Sequence, residues 1–448
     1  MKNQIKPVCL VMFIILALAS GASAQLNYAR LPVLQNQEIT DTLLKPYFEL
    51  ATNKKGDTLL MSHRSLNVFF ADKISNYLSE ASDLSLSRGY FVLDNSDGRM
   101  FLGRSWRANK DREKPLKTIL TGGIKANVED NFAAFSSGRK WNKDIGGSLK
   151  ATFLRKGVIY FDPDTSAGSQ KAKLKQKRYE IANQVMLDYD EKLAKYKKIK
   201  AGTDNAGKDI SDKSSAYGKE AAKAFSQLET AYLESTSKAY NQAFTRWASI
   251  EIYVPFTTST YKTMNNFFDT SIATTDHYPF EGGLTYTMLF DKKKWSRQPL
   301  RLLTNAVLYP GTTLLTFKAS MIANNSVKTK QLKTKAIEQY LDRGTVTDTL
   351  LLARLDSEDV YVGNFETFWT PSVSARWVYM PLDWIGVSAA IEYRFGKANA
   401  FNWKMGVPVS LKDKEGKSKV NFELICRKFL GDHSVGLSIG LPIGADII

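Results

Sequence analysis

The chain has 448 residues, 24% of them charged, a formal charge of +17 at neutral pH and only two cysteines. Its length allows two or three domains, and Cys9 with Cys426 cannot make a disulfide framework because Cys9 belongs to an amino-terminal targeting pattern. After that pattern no run of 18 or more apolar residues occurs, which excludes a helical membrane span, and the basic surplus favours anionic partners.

Lys2 and Lys6 precede an apolar run from Val8 to Leu18, and Ala22-Ser23-Ala24 supplies a small-residue cleavage site. Residues 1–24 are therefore expected to be a secretory signal peptide. Export argues against nucleic acid and directs the positive charge toward lipid phosphates, an acidic envelope polymer or anionic solutes. An exported chain without a helical span crosses a membrane only as a closed barrel.

Residues 25–115 read as a mixed segment. Tyr90–Leu93 and Arg99–Leu102 flank Asp94-Asn95-Ser96-Asp97-Gly98, which predicts a hairpin, either periplasmic or two extra barrel strands. From there a period of two dominates 116–160 and 248–444. Ile385, Val387, Ala389, Ile391, Tyr393 and Phe395 alternate with small or charged residues, and further segments near 250–256, 284–290, 299–309, 312–322, 360–368, 371–379, 401–411, 420–426 and 435–443 do the same. Such runs approach the ten residues of a membrane strand and exceed the five or six of a sandwich strand. The expected fold is an all-β transmembrane barrel of about twelve, up to 14, antiparallel strands, carrying an inserted α-helical hairpin. Tyr253, Phe256, Trp377, Tyr379, Trp384 and Phe395 sit near strand ends, where an aromatic girdle belongs.

Two inserts interrupt the alternation. Across 168–246, Ile181, Val185 and Tyr189, then Tyr217, Ala221, Phe225 and Leu228, and later Ala239 and Ala243, recur at helical spacing around a polar loop, predicting a helical hairpin or short coiled coil. Lys171, Lys173, Lys175, Lys177 and Arg178 at its start, with Lys197 and Lys198 at the other end of the first helix, are candidates to meet an anionic partner. A smaller polar insert at 325–358 reads as containing a short helix. Counting strands back from the carboxyl end puts both inserts on the periplasmic side, although barrels usually keep their longer loops outside.

The inner wall is expected to carry Lys125, Lys150, Glu251, Lys318, Arg376, Glu392, Arg394, Lys404, Lys419, Glu423 and Arg427. Cations outnumber acids there, which favours anions if the lumen is open and internal pairing if it is filled. The three histidines, His63, His277 and His433, have no metal-ligand spacing, and no cofactor motif occurs. Asp276-His277 and Asp432-His433 fall in loops on one side, but no nucleophile motif accompanies them, so a rim hydrolase is the least favoured reading.

Taken together, these segments resemble an outer-membrane β-barrel protein of a Gram-negative bacterium. The resemblance is at the level of the class and covers about 116–160 and 248–444. It departs at the end: such barrels commonly finish in an aromatic residue, whereas this chain finishes Ala445-Asp446-Ile447-Ile448. The resemblance implies contact with outer-membrane lipid and a non-enzymatic role, either structural, engaging an envelope polymer or protein through the basic insert, or as a narrow, porin-like channel preferring anions.

Overall fold

The structure is a computed structural model. It describes residues 61, 63–75, 77–94, 99–108, 116–127, 136–137, 140–141, 145–160, 167–200, 206–235, 240, 242–266, 271–292, 310–346, 349–413 and 418–446. The expected signal peptide and the segment 299–309 lie outside these residues. In chain order the elements are α1 His63–Ser75, β1 Ser87–Asp94, β2 Arg99–Arg107, β3 Thr118–Asn127, β4 Ser136–Ser137, β5 Lys140–Trp141, β6 Gly146–Leu154 and β7 Val158–Tyr160. Two long helices follow, α2 Ala167–Lys200 and α3 Ala206–Ser235. The remainder is β8 Gln242–Pro255, β9 Ser259–Met264, β10 Ala273–His277, β11 Glu281–Lys292, β12 Gly311–Asn325, β13 Lys333–Val346, β14 Thr349–Val362, β15 Thr367–Leu382, β16 Ile385–Arg394, β17 Ala400–Lys412, β18 Ser418–Phe429 and β19 Asp432–Asp446.

Twelve of these strands form a closed antiparallel barrel in the order β1, β2, β3, β6, β8, β11, β12, β15, β16, β17, β18, β19, with β19 paired back to β1. β7 pairs with β8 beyond β6: Leu154 faces Trp247 and Val158 faces Phe244, so β6 and β7 are one wall strand with a single-residue bulge. Closure leaves no unpaired edge, the condition for strands in lipid.

Side-chain direction is inverted relative to a water-soluble protein. Leu149 is 71% exposed while its neighbour Lys150 is 5% exposed; Ile391 is 53% exposed while Glu423 is fully buried. Apolar residues that face outward and charges that face inward are what hydrocarbon outside and a polar lumen inside select. Trp377 and Tyr379 stack on the outer face, and Phe256 and Phe395 are exposed at strand ends, but Tyr253 is buried beneath Lys125 and belongs to the inner wall rather than the girdle.

The two rims differ. At the near rim, where β1 begins, lie α1, the α2–α3 hairpin and the end of β19. The far rim carries a second sheet in the order β10-β9-β14-β13. Four expectations are corrected here. Residues 325–358 contain no helix among the described positions but enter the β13–β14 hairpin, and 360–368 is the end of β14, a turn and the start of β15 rather than a wall strand. β12 pairs directly with β15 along its length, so this insert leaves from the far rim, opposite the helical one, and the two do not share a side. Fourth, Ala243 is not helical: β8 begins at Gln242, because Gln242 to Tyr253 pairs residue by residue with β11. The hairpin at 90–102 supplies β1 and β2, wall strands between β19 and β3.

Phe317 projects outward from the middle of β12, 45% exposed. Phe317→Arg is expected to destabilise the barrel by about 2–4 kcal/mol, the cost of a cation near the bilayer midplane. A lower urea midpoint in the heat-modifiable gel assay checks it.

Candidate functional site

Residues 61, 63–75 and 77–86 of the chain lie inside the wall. α1 has apolar residues at helical spacing, Leu66, Phe69, Phe70 and Ile74, and these enter a core at the near rim with Leu116, Tyr240, Trp247, Leu289 and Met380. Phe69 meets Phe70 and Tyr240 edge to face, with centroids 5.2 and 5.6 Å apart. Lys73, only 1% exposed, projects from the same helix to Asp383 at 3.2 Å, Glu234 at 3.5 Å and Asp291 at 3.7 Å. These acids come from the β15–β16 turn, from α3 and from β11. Asp291 also accepts hydrogen bonds from Tyr240 at 2.5 Å and Thr312 at 3.0 Å. One ammonium thus joins wall, internal helix and external hairpin.

Past α1 the chain descends into the barrel and returns to β1. Asp83 accepts hydrogen bonds from the backbone amides of Ser79 and Glu80, which folds 79–83 into a tight tip. Arg376 donates to Asp83 at 2.9 Å and to Ser79 at 2.5 Å, Lys404 to Glu80 at 3.0 Å, and Lys150 to the Asp83 carbonyl at 2.7 Å. Asn421 donates to the Ser75 carbonyl and Ser438 to that of Ser79. Donors therefore reach this segment from β6, β15, β17, β18 and β19. Gly440 lets the segment approach the wall, since a Cβ there would run into the Leu78 carbonyl oxygen.

Of the inner-wall residues expected from alternation, Lys150, Arg376 and Lys404 hold the tip, and Glu423 lies 3.5 Å from Arg376 while accepting from Ser388. Nearer the far rim, Lys125 at 2.7 Å and Lys318 at 3.4 Å share Glu281, with Arg99 at 3.9 Å. Glu251 accepts from Ser148 at 3.0 Å. Glu392 pairs with Arg394, which lies 4.6 Å over the Phe429 ring, as does Arg427 at 5.1 Å. Lys419 is exposed close to the start of β18. Period-two reading did not find Lys73, Ser79, Glu80, Asp83, Glu281 or Asp291. Two signals were available for the first four: an amphipathic stretch ahead of the first strand, and acids bunched directly after it.

In the hairpin, Ile181, Val185 and Tyr189 of α2 pack against Ala221 and Phe225 of α3. At 34 residues α2 is about 51 Å long, and Lys197 and Lys198 are exposed at the end remote from the barrel. Lys192 donates to Glu220 at 2.7 Å, which raises the lysine pKa. Lys171, Lys173 and Lys175 lie in the opening turns of α2. Lys177 pairs with Glu180 at 2.9 Å, and Arg178 pairs with Glu229 while covering the Phe225 ring, so its charge is answered inside the hairpin. The hairpin's base meets α1 through Leu233, Glu234 and the Thr230 hydroxyl on the Ser65 carbonyl.

The acid–histidine neighbours point apart. His277 is buried against the Ala323 carbonyl, whereas Asp276 is exposed and accepts from Thr260. Asp432 pairs with Lys330 while His433 packs on Trp403. Among the described residues no group of three His, Cys, Asp or Glu side chains is placed to hold a metal ion.

Neither a family model nor a curated protein matches the chain. Among solved structures it is similar to a KdgM porin, at 7% identity and a TM-score of 0.25, over 79% of this chain and 97% of that one. The closed barrel with its apolar exterior is that of an outer-membrane β-barrel protein.

Lys73→Ala leaves Asp291 buried without its ammonium. The expected loss is about 3–5 kcal/mol, as for a broken buried ion pair, seen as faster proteolysis within 61–86 and a lower urea midpoint. Lys73→Arg should recover part of it.

Proposed function

We propose that this protein is a non-enzymatic component of the outer membrane of a Gram-negative bacterium, closed as it stands by its own amino-terminal segment. It serves a structural or envelope-interaction role through the helical hairpin. The observation that supports this is the way the wall cations Lys150, Arg376 and Lys404 are used: they hold the acidic tip at 79–83 rather than facing an open aqueous path. A charge surplus on the wall, which in an empty lumen would attract passing anions, here fastens a plug. An open channel would require that segment to leave.

Apart from the 161–241 connection, which carries the hairpin at the near rim and is the chain's longest, the longer connections leave the far rim with β9–β10 and β13–β14, and barrels of this class generally expose such connections to the exterior. The near rim, with α1, the hairpin and the end of β19, then faces the periplasm. The hairpin is about 50 Å long by helix rise and presents Lys197, Lys198 and the 75% exposed Ile199. Exposed cations on a long, stiff arm suit an acidic envelope polymer, with a protein partner as the second candidate.

Proteinase added to intact cells should spare the hairpin and cleave it only after the outer membrane is permeabilised; cleavage without permeabilisation would sink this orientation. Lys197→Glu with Lys198→Glu is expected to reduce retention on isolated cell-wall polymer more than roughly tenfold, since each basic residue near an anionic surface contributes about 1 kcal/mol. Unchanged retention would remove the polymer as partner.

A further inference from the structure

We infer that Lys150, Arg376 and Lys404 form an anion-binding ring in which Glu80 and Asp83 act as a resident ligand, and that withdrawal of the tip turns the closed lumen into an anion-conducting one. This rests on the occluded-barrel reading above and extends it. The three cations come from β6, β15 and β17 and converge on five residues of the tip. Wall acids remain near two of them, Glu423 at 3.5 Å from Arg376 and Asp94 at 3.8 Å from Lys404, but the tip carboxylates sit closer, at 2.9 and 3.0 Å. Arg376 is 92% buried by side-chain area, and its Nε has no hydrogen-bond partner. A donor is thus left over on the Arg376 guanidinium, which a carboxylate bound to it in bidentate fashion would use.

The tip and α1 are held by different forces. α1 lies in an apolar core, which water does not replace, whereas the tip contacts just described are hydrogen bonds and ion pairs that an incoming anion and water can exchange. Beside the tip a narrow cleft, large enough for about one water, runs between Ser82, Asp83 and Leu84 on one side and Trp247, Thr287 and Thr316 on the other, so water can reach the tip contacts. The ligand class that fits is a small anion with two carboxylates, one for Arg376 and one for Lys404, matching the spacing at which Asp83 and Glu80 are held.

Planar-bilayer recording of the full chain tests this. Wild type should be silent. Glu80→Gln with Asp83→Asn should give discrete steps favouring chloride over potassium by about threefold or more, as a cation-lined pore does, and succinate should block them. Arg376→Gln with Lys404→Gln frees the same tip and should give steps without anion preference. Heat-modifiable migration establishes that each variant is folded. A folded acid-tip variant that is silent, conducts without anion preference or ignores succinate would overturn the proposal and leave the occluded barrel standing. Steps from wild type in ordinary salt would overturn the occluded barrel itself. Should the acid-tip variant not fold, wild type in about 1 M salt, where screening acts within about 3 Å, takes its place: steps support the proposal, and silence there and in folded Arg376→Gln/Lys404→Gln overturns it.

Discussion

A charge placed behind an apolar wall has to meet its partner inside the same chain, because the lipid outside offers none and burial without a partner costs several kcal/mol. Much of this molecule follows from that constraint. The outer face of the strands is Leu, Ile, Phe and Val, so Lys and Arg on the alternate positions turn inward. Once inward, Lys125 and Lys318 find Glu281 on the wall, while Arg376 and Lys404 take their nearest acids from Glu80 and Asp83. The wall and the segment inside it are therefore complementary parts of one electrostatic arrangement.

The same logic links the lumen to the hairpin outside it. Lys73 sits where three structures meet, and its acids are contributed by the wall and by α3. Around it the core made by Phe69, Phe70, Leu233, Tyr240 and Leu289 is continuous from the barrel mouth to the base of the helices. Displacing the hairpin would disturb Glu234 and Leu233, and through them the helix packed at the barrel mouth. The deeper tip at 79–83 is held chiefly by polar contacts, between Tyr77 and Leu84, which belong to that core. Two regions of one segment thus differ in how they resist removal: one by apolar burial, the other by charge.

Much of the wall was legible from residue order. In β16 and just past it the outward direction of Ile391, Tyr393 and Phe395 follows from the alternation, whereas Ile385, expected to face outward with them, is buried at the near rim; the inner positions of Lys150, Arg376, Lys404 and Glu423 follow from the same period. The long helices were equally legible, since Ile181, Val185 and Tyr189 recur at a spacing only a helix brings to one face. What alternation misplaced was membership: 360–368 has a strand-like pattern but divides between β14, a turn and β15, while 90–102 supplies two wall strands that its short apolar runs left ambiguous. Period two reports that a segment is extended and two-faced; it does not report which sheet receives it. Rim assignment inherits that ambiguity, and the smaller insert therefore moved to the opposite rim.

By itself the sequence determined the class of fold, the inward direction of its charges and the presence of a long basic hairpin, because each is written in local periodicity. Only the tertiary structure decided that the segment ahead of β1 meets the inner wall. The residues that do so, Lys73 and Ser79 to Asp83, are separated from Arg376, Lys404 and Ser438 by about three hundred positions or more. Their pairing is set by closure of the twelve strands around them, which brings β6, β15, β17 and β19 to face one point. No local pattern encodes that convergence, since it exists only once β19 has met β1.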